Sequence, residues 1–216
     1  NHPYAEICGT VLSPQVVLSE CNTTYFGVRF LPGYNPVLGS ADIMAHLVNH
    51  RIPLDDLIQD RRMLEGIWGA SDFRQQIRVF MRSYMNIYRR VCPQEHQNLL
   101  VLHSSNLMIR SGGGISVEQL AEDTGYTPRY IDKCFRNETG LSPKQLAKIV
   151  RFQTAVSALN QNQHTGRSLT EIAADLGYFD QSHFVHDFKT YTGLTPKKYQ
   201  MLLRNDAFDE KLRIVQ

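Results

Sequence analysis

Cysteine is scarce in this sequence of 216 residues, and the spacing of the cysteines excludes two kinds of site. The four cysteines lie far apart, and no two of them form a C-x-x-C pair. A structural zinc site or a dense disulfide framework would need closer spacing. We therefore expect reduced, mostly buried cysteines in a cytoplasmic protein. The four are Cys8, Cys21, Cys92 and Cys134.

Long apolar runs and a strong net charge are also lacking. No apolar run approaches the ~18 residues of a membrane span, and no charged-then-apolar leader opens the chain. We therefore expect no membrane segment and no signal peptide. The formal net charge is +2, and neither residues 1–97 nor residues 98–216 form a cationic block. Binding to nucleic acid would therefore depend on how the charges are sorted onto faces.

The usual signatures of catalysis and of metal binding are missing as well. Neither a G-x-S-x-G motif nor a phosphate-binding loop occurs, and the three glycines at 112–114 lack the Lys-Ser/Thr that such a loop needs. His46 and His50 share a helix face, but the glutamate of a zinc-protease motif is absent between them. We therefore expect no enzyme activity, no metal and no other cofactor.

The N-terminal residues alternate between apolar and polar types over positions 6–30. This pattern predicts three strands, Glu6–Leu12, Gln15–Glu20 and Thr24–Phe30. Three strands are too few to close a barrel. We therefore expect the tail end of a β-domain whose beginning is absent.

Helical patterns follow over residues 40–92. Ser40 is placed to cap a helix that runs through Val48, and Pro53 with two aspartates marks another helix start. A longer stretch repeats apolar residues at heptad-like spacing. Two interpretations stay open: this helix packs on its own domain, or its seam forms a dimer. The seam residues are Phe73, Ile77, Phe80, Tyr84 and Ile87.

The most informative feature is an internal repeat in the C-terminal half of the chain. Three segments recur at an offset of 52 or 53 residues. They are LAEDTGY at 120–126 with IAADLGY at 172–178, YIDKCF at 130–135 with HFVHDF at 183–188, and TGLSPK at 139–144 with TGLTPK at 192–197.

Each copy of the repeat predicts a helix-turn-helix unit. Ser116 and Ser168 precede a short amphipathic helix, and Gln119 and Glu171 complete capping boxes three residues later. Glycines mark the helix ends, and prolines open the helices that follow. The predicted structural residues are Gly125, Phe135, Gly140, Pro143, Gly177, Phe188, Gly193 and Pro196.

The two units, at about 116–140 and 168–193, are joined by a predicted linker helix at 144–160. A helix of this length spans ~25 Å, at ~1.5 Å per residue. It is able to hold two recognition helices, 127–138 and 180–190, in consecutive turns of the major groove.

Helical periodicity sorts the side chains of these two helices into an inner and an outer set. Most of their cations fall in the outer set, a separation that the low net charge hides. The residues that face inward or toward an edge are Ile131, Cys134, Phe135, Phe184, Asp187 and Phe188.

These motifs resemble the DNA-binding domain of the AraC/XylS family of bacterial transcription regulators over residues 98–203. The segment IAADLGYFDQSHFVHDFKTYTGLTPKKY at 172–199 follows the signature pattern of that family. FGVRFL at 26–31 more weakly resembles the end of a sensor domain. The resemblance implies an effector-sensing and dimerisation part at 1–97 and a DNA-binding domain at 98–216.

The resemblance also implies which side chains contact DNA. Arginine and lysine pair with guanine, and glutamine pairs with adenine. Asp132 either accepts a hydrogen bond from cytosine or repels phosphate. Arg136 and Lys189 are placed for backbone phosphates. The predicted base readers are Arg129, Asp132, Lys133, Gln181, Ser182, Val185 and His186.

One of these residues departs from the family pattern. The family often has arginine at the position of His186, and a neutral histidine makes a weaker contact. We therefore expect weaker binding in the second half-site and a dependence on pH.

The sequence thus predicts a mainly α fold, with two helix-turn-helix subdomains on a linker helix and a small partial β region before them. The predicted function is a sequence-specific transcription regulator of activator type that binds double-stranded DNA. The resemblance adds RNA polymerase, a small-molecule effector and a second copy of the chain as partners. The alternative is a ligand-binding or enzymatic β-domain whose helical half mediates protein contacts.

Overall fold

The computed structural model describes residues 4–15, 24–33, 41–57, 61–91 and 98–204, and these residues are mainly helical. The predicted fold class is therefore confirmed. Among these residues, no helix combines the length and the apolar character needed to cross a membrane. The strands are β1 (Glu6–Cys8) and β2 (Arg51–Pro53). The helices are α1 (Ala41–Leu47), α2 (Leu54–Leu57), α3 (Arg61–Trp68), α4 (Phe73–Val91), α5 (Leu99–Arg110), α6 (Val117–Thr124), α7 (Pro128–Thr139), α8 (Pro143–Thr165), α9 (Leu169–Asp175), α10 (Gln181–Thr192) and α11 (Pro196–Arg204).

The described residues divide into two compact units. Unit 1 takes them from positions 1–11, 16–103 and 129–142, and unit 2 takes the others. Unit 1 therefore includes α7 together with the N-terminal elements. The functional division of the chain after residue 97 stays a prediction.

The core of unit 1 forms where α3 packs against α4. Met63 and Ile67 of α3 and Ile87 of α4 are buried in one cluster. Gly66 permits this close approach, because a Cβ at that position would lie only 2.8 Å from Cγ1 of Val79. The bounds of α4 agree with the predicted heptad-like stretch.

The predicted strands of the N-terminal region are largely wrong. β1 ends at Cys8 rather than Leu12, and it pairs antiparallel with β2, which lies in the region predicted to be helical. Residues 24–30 form no strand. The predicted strand Gln15–Glu20 lies outside the described residues except for Gln15, which is in no strand.

Packing explains the alternation in residues 24–30. The ring of Phe26 lies 6.0 Å from that of Phe73, and the ring of Phe30 lies 5.2 Å from that of Tyr84. Both phenylalanines therefore cover α4. Alternating apolar and polar residues indicate an extended segment with one buried side. A strand also needs a neighbouring strand for its backbone hydrogen bonds.

α8 is the central element of unit 2, and it is longer than the predicted helix at 144–160. It continues to Thr165 because neither glycine nor proline occurs before Gly166. α9, α10 and α11 all contact it. Their shared core consists of Ala155, Val156, Leu159, Ile172, Ala173, Tyr178, Phe184, Phe188 and Tyr199.

Both predicted capping boxes are confirmed. The side chain of Ser116 accepts a hydrogen bond from the backbone N–H of Gln119 at 3.1 Å, and Gln119 Oε1 accepts from the N–H of Ser116 at 2.8 Å. Ser168 and Glu171 make the same pair at 3.2 and 2.7 Å. The hydrogen bonds from the backbone and the side chain of Ser168 hold the pKa of Glu171 below its usual range.

The repeat glycines also behave as predicted. Each has a φ of 71° or 72°, in the left-handed region that favours glycine. In each helix-turn-helix unit, a proline follows the second helix. These prolines, Pro143 and Pro196, begin α8 and α11 and are fully buried. The four glycines are Gly125, Gly140, Gly177 and Gly193.

The cysteine prediction is confirmed only in part. Cys8 and Cys134 are free thiols, but Cys134 is buried whereas Cys8 is exposed. Cys8 lies at the exposed end of β1, in the two-stranded sheet. Cys21 and Cys92 lie outside the described residues.

Asn162 closes the turn between α8 and α9. Its side chain is buried, its Nδ2 donates to the carbonyl oxygen of Arg167 at 2.8 Å, and its Oδ1 accepts from the Arg167 N–H at 2.7 Å. The guanidinium of Arg167 in turn pairs with Asp175 of α9. The amide of Asn162 therefore ties the start of α9 to the end of α8.

We expect Asn162→Ala to lower the free energy of unfolding by about 1–3 kcal/mol, because it removes both partners from the Arg167 backbone. Urea unfolding followed by circular dichroism measures this change. Gln161→Ala, at the exposed neighbouring position, is the control and should change stability by less than about 0.5 kcal/mol. Equal losses in the two variants would contradict the role of Asn162.

Candidate nucleic-acid interface

α7 has an apolar inner face and a charged outer face. Ile131, Cys134 and Phe135 are buried, as the periodicity predicts. Three of the four predicted DNA-contacting side chains of α7 are exposed, and the fourth is half-buried. The exposed side chains are Arg129, Lys133 and Arg136, and the half-buried one is Asp132.

Asp132 pairs with Arg136 one turn along α7. The Nε of Arg136 donates to Oδ2 of Asp132 at 2.7 Å, and both side chains are partly exposed. An exposed pair of this kind contributes less than about 1 kcal/mol to stability. Its effect is to fix the direction of the Arg136 guanidinium, a role that the sequence does not reveal.

α10 buries an aromatic face and exposes a polar one. Phe184 and Phe188 are fully buried, and Asp187 is 9% exposed. The ring of Phe188 lies 5.5 Å from that of Phe152 on α8 and 5.4 Å from that of Tyr199 on α11. These contacts fix the rotation of α10 about its own axis.

All five side chains that were predicted to contact DNA from α10 line one open hollow. The hollow has a volume of about 360 Å³. In this hollow, polar groups and a cation surround one aliphatic side chain. Such a surface is able to contact the polar edges of base pairs and the methyl group of thymine. The lining residues are Gln181, Ser182, Val185, His186 and Lys189.

Two contacts fix the N-terminal end of α10. The side chain of Asp180 caps the helix by accepting from the backbone N–H of His183 at 2.7 Å. Oγ1 of Thr170, on α9, lies 2.8 Å from Oε1 of Gln181 and donates to it. α9 therefore holds the amide of Gln181 at the edge of the hollow, and the amide nitrogen is left to donate.

A carboxylate lies beneath the outer face of α10. Oδ2 of Asp187 is 3.7 Å from Nε2 of His183, and Oδ1 is 3.9 Å from Nδ1 of His186. Burial, with a contribution from Asp187, raises the pKa of Tyr178 to about 12, so this phenol stays neutral. The guanidinium of Arg151 lies 5.5 Å from the centre of the same ring.

The fixed charge differs between α7 and α10. α7 carries three arginine or lysine side chains, whereas α10 carries Lys189 alone. At the position equivalent to Lys133, α10 has His186, whose side chain is 82% exposed. The first helix-turn-helix unit therefore attracts phosphate more strongly than the second helix-turn-helix unit.

The structural residues predicted from the repeat lie where the repeat places them. Phe135 and Phe188 are the buried aromatic residues at matching positions of α7 and α10. The glycines end helices or follow them within two residues, and the prolines begin the next helices. Both helix-turn-helix units therefore have the same order of helices, glycines and prolines.

The predicted dimer seam is partly used within unit 1. Ile87 is buried in the core of that unit, and the ring of Phe80 lies 6.2 Å from that of Phe26. Phe73 and Ile77 are 65% and 40% exposed. The contacts of Phe80, Ile87 and also Tyr84 favour the interpretation in which α4 packs on its own unit. The dimer stays a prediction.

Two residues of this surface were not identified from the sequence. Thr170 has no signal of its own, because its contact with Gln181 depends on how α9 crosses α10. Phe179 is 94% exposed and directly precedes the cap of α10. The sequence does contain a signal for Phe179. The second copy of the repeat is one residue longer than the first, and the extra residue falls at this point.

Comparison with known proteins identifies the same region. Residues 94–201, half of the chain, match the helix-turn-helix domain family. The transcriptional activator AarP of Providencia stuartii is 27% identical over 103 residues, which cover 48% of this chain and 71% of AarP. The multiple antibiotic resistance protein MarA of Escherichia coli is 25% identical over 87 residues, which cover 40% of this chain and 66% of MarA.

Other relatives are longer than the matched region. An uncharacterised HTH-type transcriptional regulator of Haemophilus influenzae is 34% identical over 84 residues, which are 39% of this chain but 27% of that protein. Among solved structures, the C-terminal domain of AraT, a response regulator from Geobacillus stearothermophilus, is 25% identical with a TM-score of 0.43. That comparison covers 47% of this chain and 84% of the AraT chain.

The matched relatives are regulators of transcription and not enzymes. The matched residues contain both capping boxes, the four left-handed glycines and the two exposed helix faces. The chain therefore belongs to the helix-turn-helix family of AraC-type transcription regulators.

Proposed function

We propose that this protein binds specific DNA sequences by placing α7 and α10 in successive turns of the major groove. The outer side chains of the two helices read base edges and grip phosphates. No bond is made or broken, so the free energy of binding comes mostly from phosphate contacts and the specificity from base contacts.

The observation that carries this proposal is the outer face of α10 around the open hollow, where all five side chains lie together. Its five lining residues are the same five that the family resemblance selects as DNA contacts. A buried aromatic face turns these side chains outward, and Asp180 and Thr170 fix the helix end where base readers lie. Such preorganisation lowers the entropy cost of binding.

The roles of the individual side chains follow from their chemistry. Arg129 and Lys133 donate to guanine, and Gln181 donates its amide hydrogens to purine acceptors. Asp132 acts on Arg136, which it orients toward phosphate. Lys189 grips phosphate at the far end of α10.

The remaining parts of the proposal rest on the family. We propose that residues 1–97 bind a small effector and mediate dimerisation, and that the protein acts with RNA polymerase in the bacterial cytoplasm. An effector would act by favouring one placement of the DNA-binding units over another. Phe73, which is 65% exposed, is the most exposed residue of the predicted seam.

We expect Lys133→Ala and Lys189→Ala each to weaken DNA binding about tenfold, and Lys189→Ala also to reduce the salt dependence by about one phosphate contact. Fluorescence anisotropy with a labelled duplex at several salt concentrations measures both effects. Lys148→Ala, at an exposed position of α8, is the control and should bind normally. Unchanged affinity in the two test variants would support the protein-contact alternative.

Gln181→Ala and Thr170→Val should both relax base preference at the same position of the operator. The first removes the amide, and the second removes the hydroxyl that holds it. We expect a loss of discrimination of about 1–3 kcal/mol for Gln181→Ala and a smaller loss for Thr170→Val. Binding to a panel of duplexes with single base-pair changes measures this. Effects of the two variants at different positions would exclude the proposed coupling.

His186→Arg should strengthen binding to the second half-site, because an exposed guanidinium adds a fixed charge and a bidentate donor. We expect about a tenfold gain in affinity for a duplex with guanine at the matching position. Competition between this duplex and one that lacks the guanine separates a base contact from a phosphate contact. A loss of affinity would show that His186 does not face the groove.

A further inference from the structure

One exposed band of α4 takes no part in the DNA contacts proposed above. Ile77, Met81 and Met85 follow one another at steps of four residues, and their exposures are 40%, 51% and 38%. Residues four apart are neighbours on a helix surface. The three side chains therefore form a continuous apolar strip, here called the methionine strip.

A row of arginines runs beside this strip. Arg74, Arg78 and Arg82 are all exposed, and each lies three residues before a member of the methionine strip. Residues three apart are also neighbours on a helix. Among the described residues, none of these three arginines has an ion pair or a hydrogen bond to a side chain.

α4 itself offers no acid to balance these charges. Its nineteen residues include five arginines and neither aspartate nor glutamate. The acid nearest its start, Asp72, is engaged by the helix end, because its Oδ1 accepts from the backbone N–H of Gln75 at 2.8 Å. Within the part of the chain that the structure describes, the arginine row is therefore a line of cations without ion-pair partners next to an apolar line.

The chemistry of the methionine strip and of the arginine row indicates which kind of partner binds them. An apolar row with a carboxylate row beside it, at the same helical spacing, matches both lines at once. Methionine side chains are flexible and adapt to such a partner. We propose that the methionine strip and the arginine row of α4 bind an acidic amphipathic helix of a partner protein.

Three other occupants fit less well. A second copy of α4 would place arginines against arginines, which is unfavourable. A nucleic-acid backbone would satisfy the arginines but would leave the methionine strip without an apolar partner. A lipid surface requires a broad apolar face, whereas Phe80 and Ile87, on another side of α4, are already packed within unit 1.

The test uses the full chain and two labelled synthetic peptides of about 18 residues with the same leucine, glutamate and alanine composition. In one peptide the leucines and glutamates form adjacent rows on a helix, and in the other their order is scrambled. Fluorescence anisotropy should show that the ordered peptide binds about tenfold more tightly. Met81→Ser and the double variant Arg78→Glu/Arg82→Glu should each weaken that binding about tenfold.

Arg90→Glu is the matched control. Arg90 is an exposed arginine of the same helix, nine residues after Met81 and thus about 180° away from it. It should leave peptide binding within about twofold of the unchanged protein. Thermal unfolding by circular dichroism confirms that the substitutions, all at exposed positions, leave the fold intact.

Several outcomes would overturn the proposal. These are no binding of the ordered peptide, equal binding of both peptides, or an equal loss in Arg90→Glu. Loss of DNA affinity with peptide binding intact would assign the surface to nucleic acid. Self-association in sedimentation that Met81→Ser abolishes would assign it to a second copy of the chain.

Discussion

The packing of Phe188 determines which side chains of α10 reach the surface. Its ring contacts Phe184 on the same helix, Phe152 on α8 and Tyr199 on α11. Close-packed aromatic rings of this kind allow little rotation of the helix. Because Phe184 and Phe188 face the core, the residues that line the hollow face outward. The proposed DNA-binding surface is therefore a consequence of how the core is packed.

The polar contacts of unit 2 supplement this aromatic core. Asn162 ties α9 to α8, and Thr170 of α9 holds Gln181 of α10. Asp180 satisfies the first turn of α10. Helices α8, α9 and α10 are thus linked by side-chain hydrogen bonds from the linker helix to the proposed DNA-binding surface. A helix that is fixed in this way before binding loses less conformational entropy when it meets DNA.

Charge is distributed unevenly over the protein in a way that its net value of +2 conceals. α7 has three fixed cations, α10 has one, and α4 has five without an acid. Cations on a recognition helix serve a phosphate backbone. Those of α4 lie next to exposed methionines, which a phosphate backbone does not require. The proposed partners of α4 and of α7 therefore differ in their chemistry.

Local signals account for what was predictable from the sequence. The capping boxes at Ser116 and Ser168 depend on residues three apart, and the left-handed glycines depend on a single backbone angle. Periodicity likewise identified the buried side of α7 and of α10. Non-local contacts account for what was missed: residues 24–30 lack a ladder partner, and β2 lies directly before the predicted helix start, which α2 confirms to within one residue. The apolar seam of α4 was visible in the sequence, but the phenylalanines that cover part of it were not.

The most direct test of the central claim is selection of bound duplexes from a random DNA library with the purified protein, followed by sequencing. The account predicts two short motifs on one face of the duplex, with centres about 10 base pairs apart. Arg129→Ala and Lys133→Ala should alter one motif, and Gln181→Ala and His186→Ala should alter the other. No enrichment, or motifs that these four substitutions leave unchanged, would contradict the assignment of α7 and α10 as the reading helices.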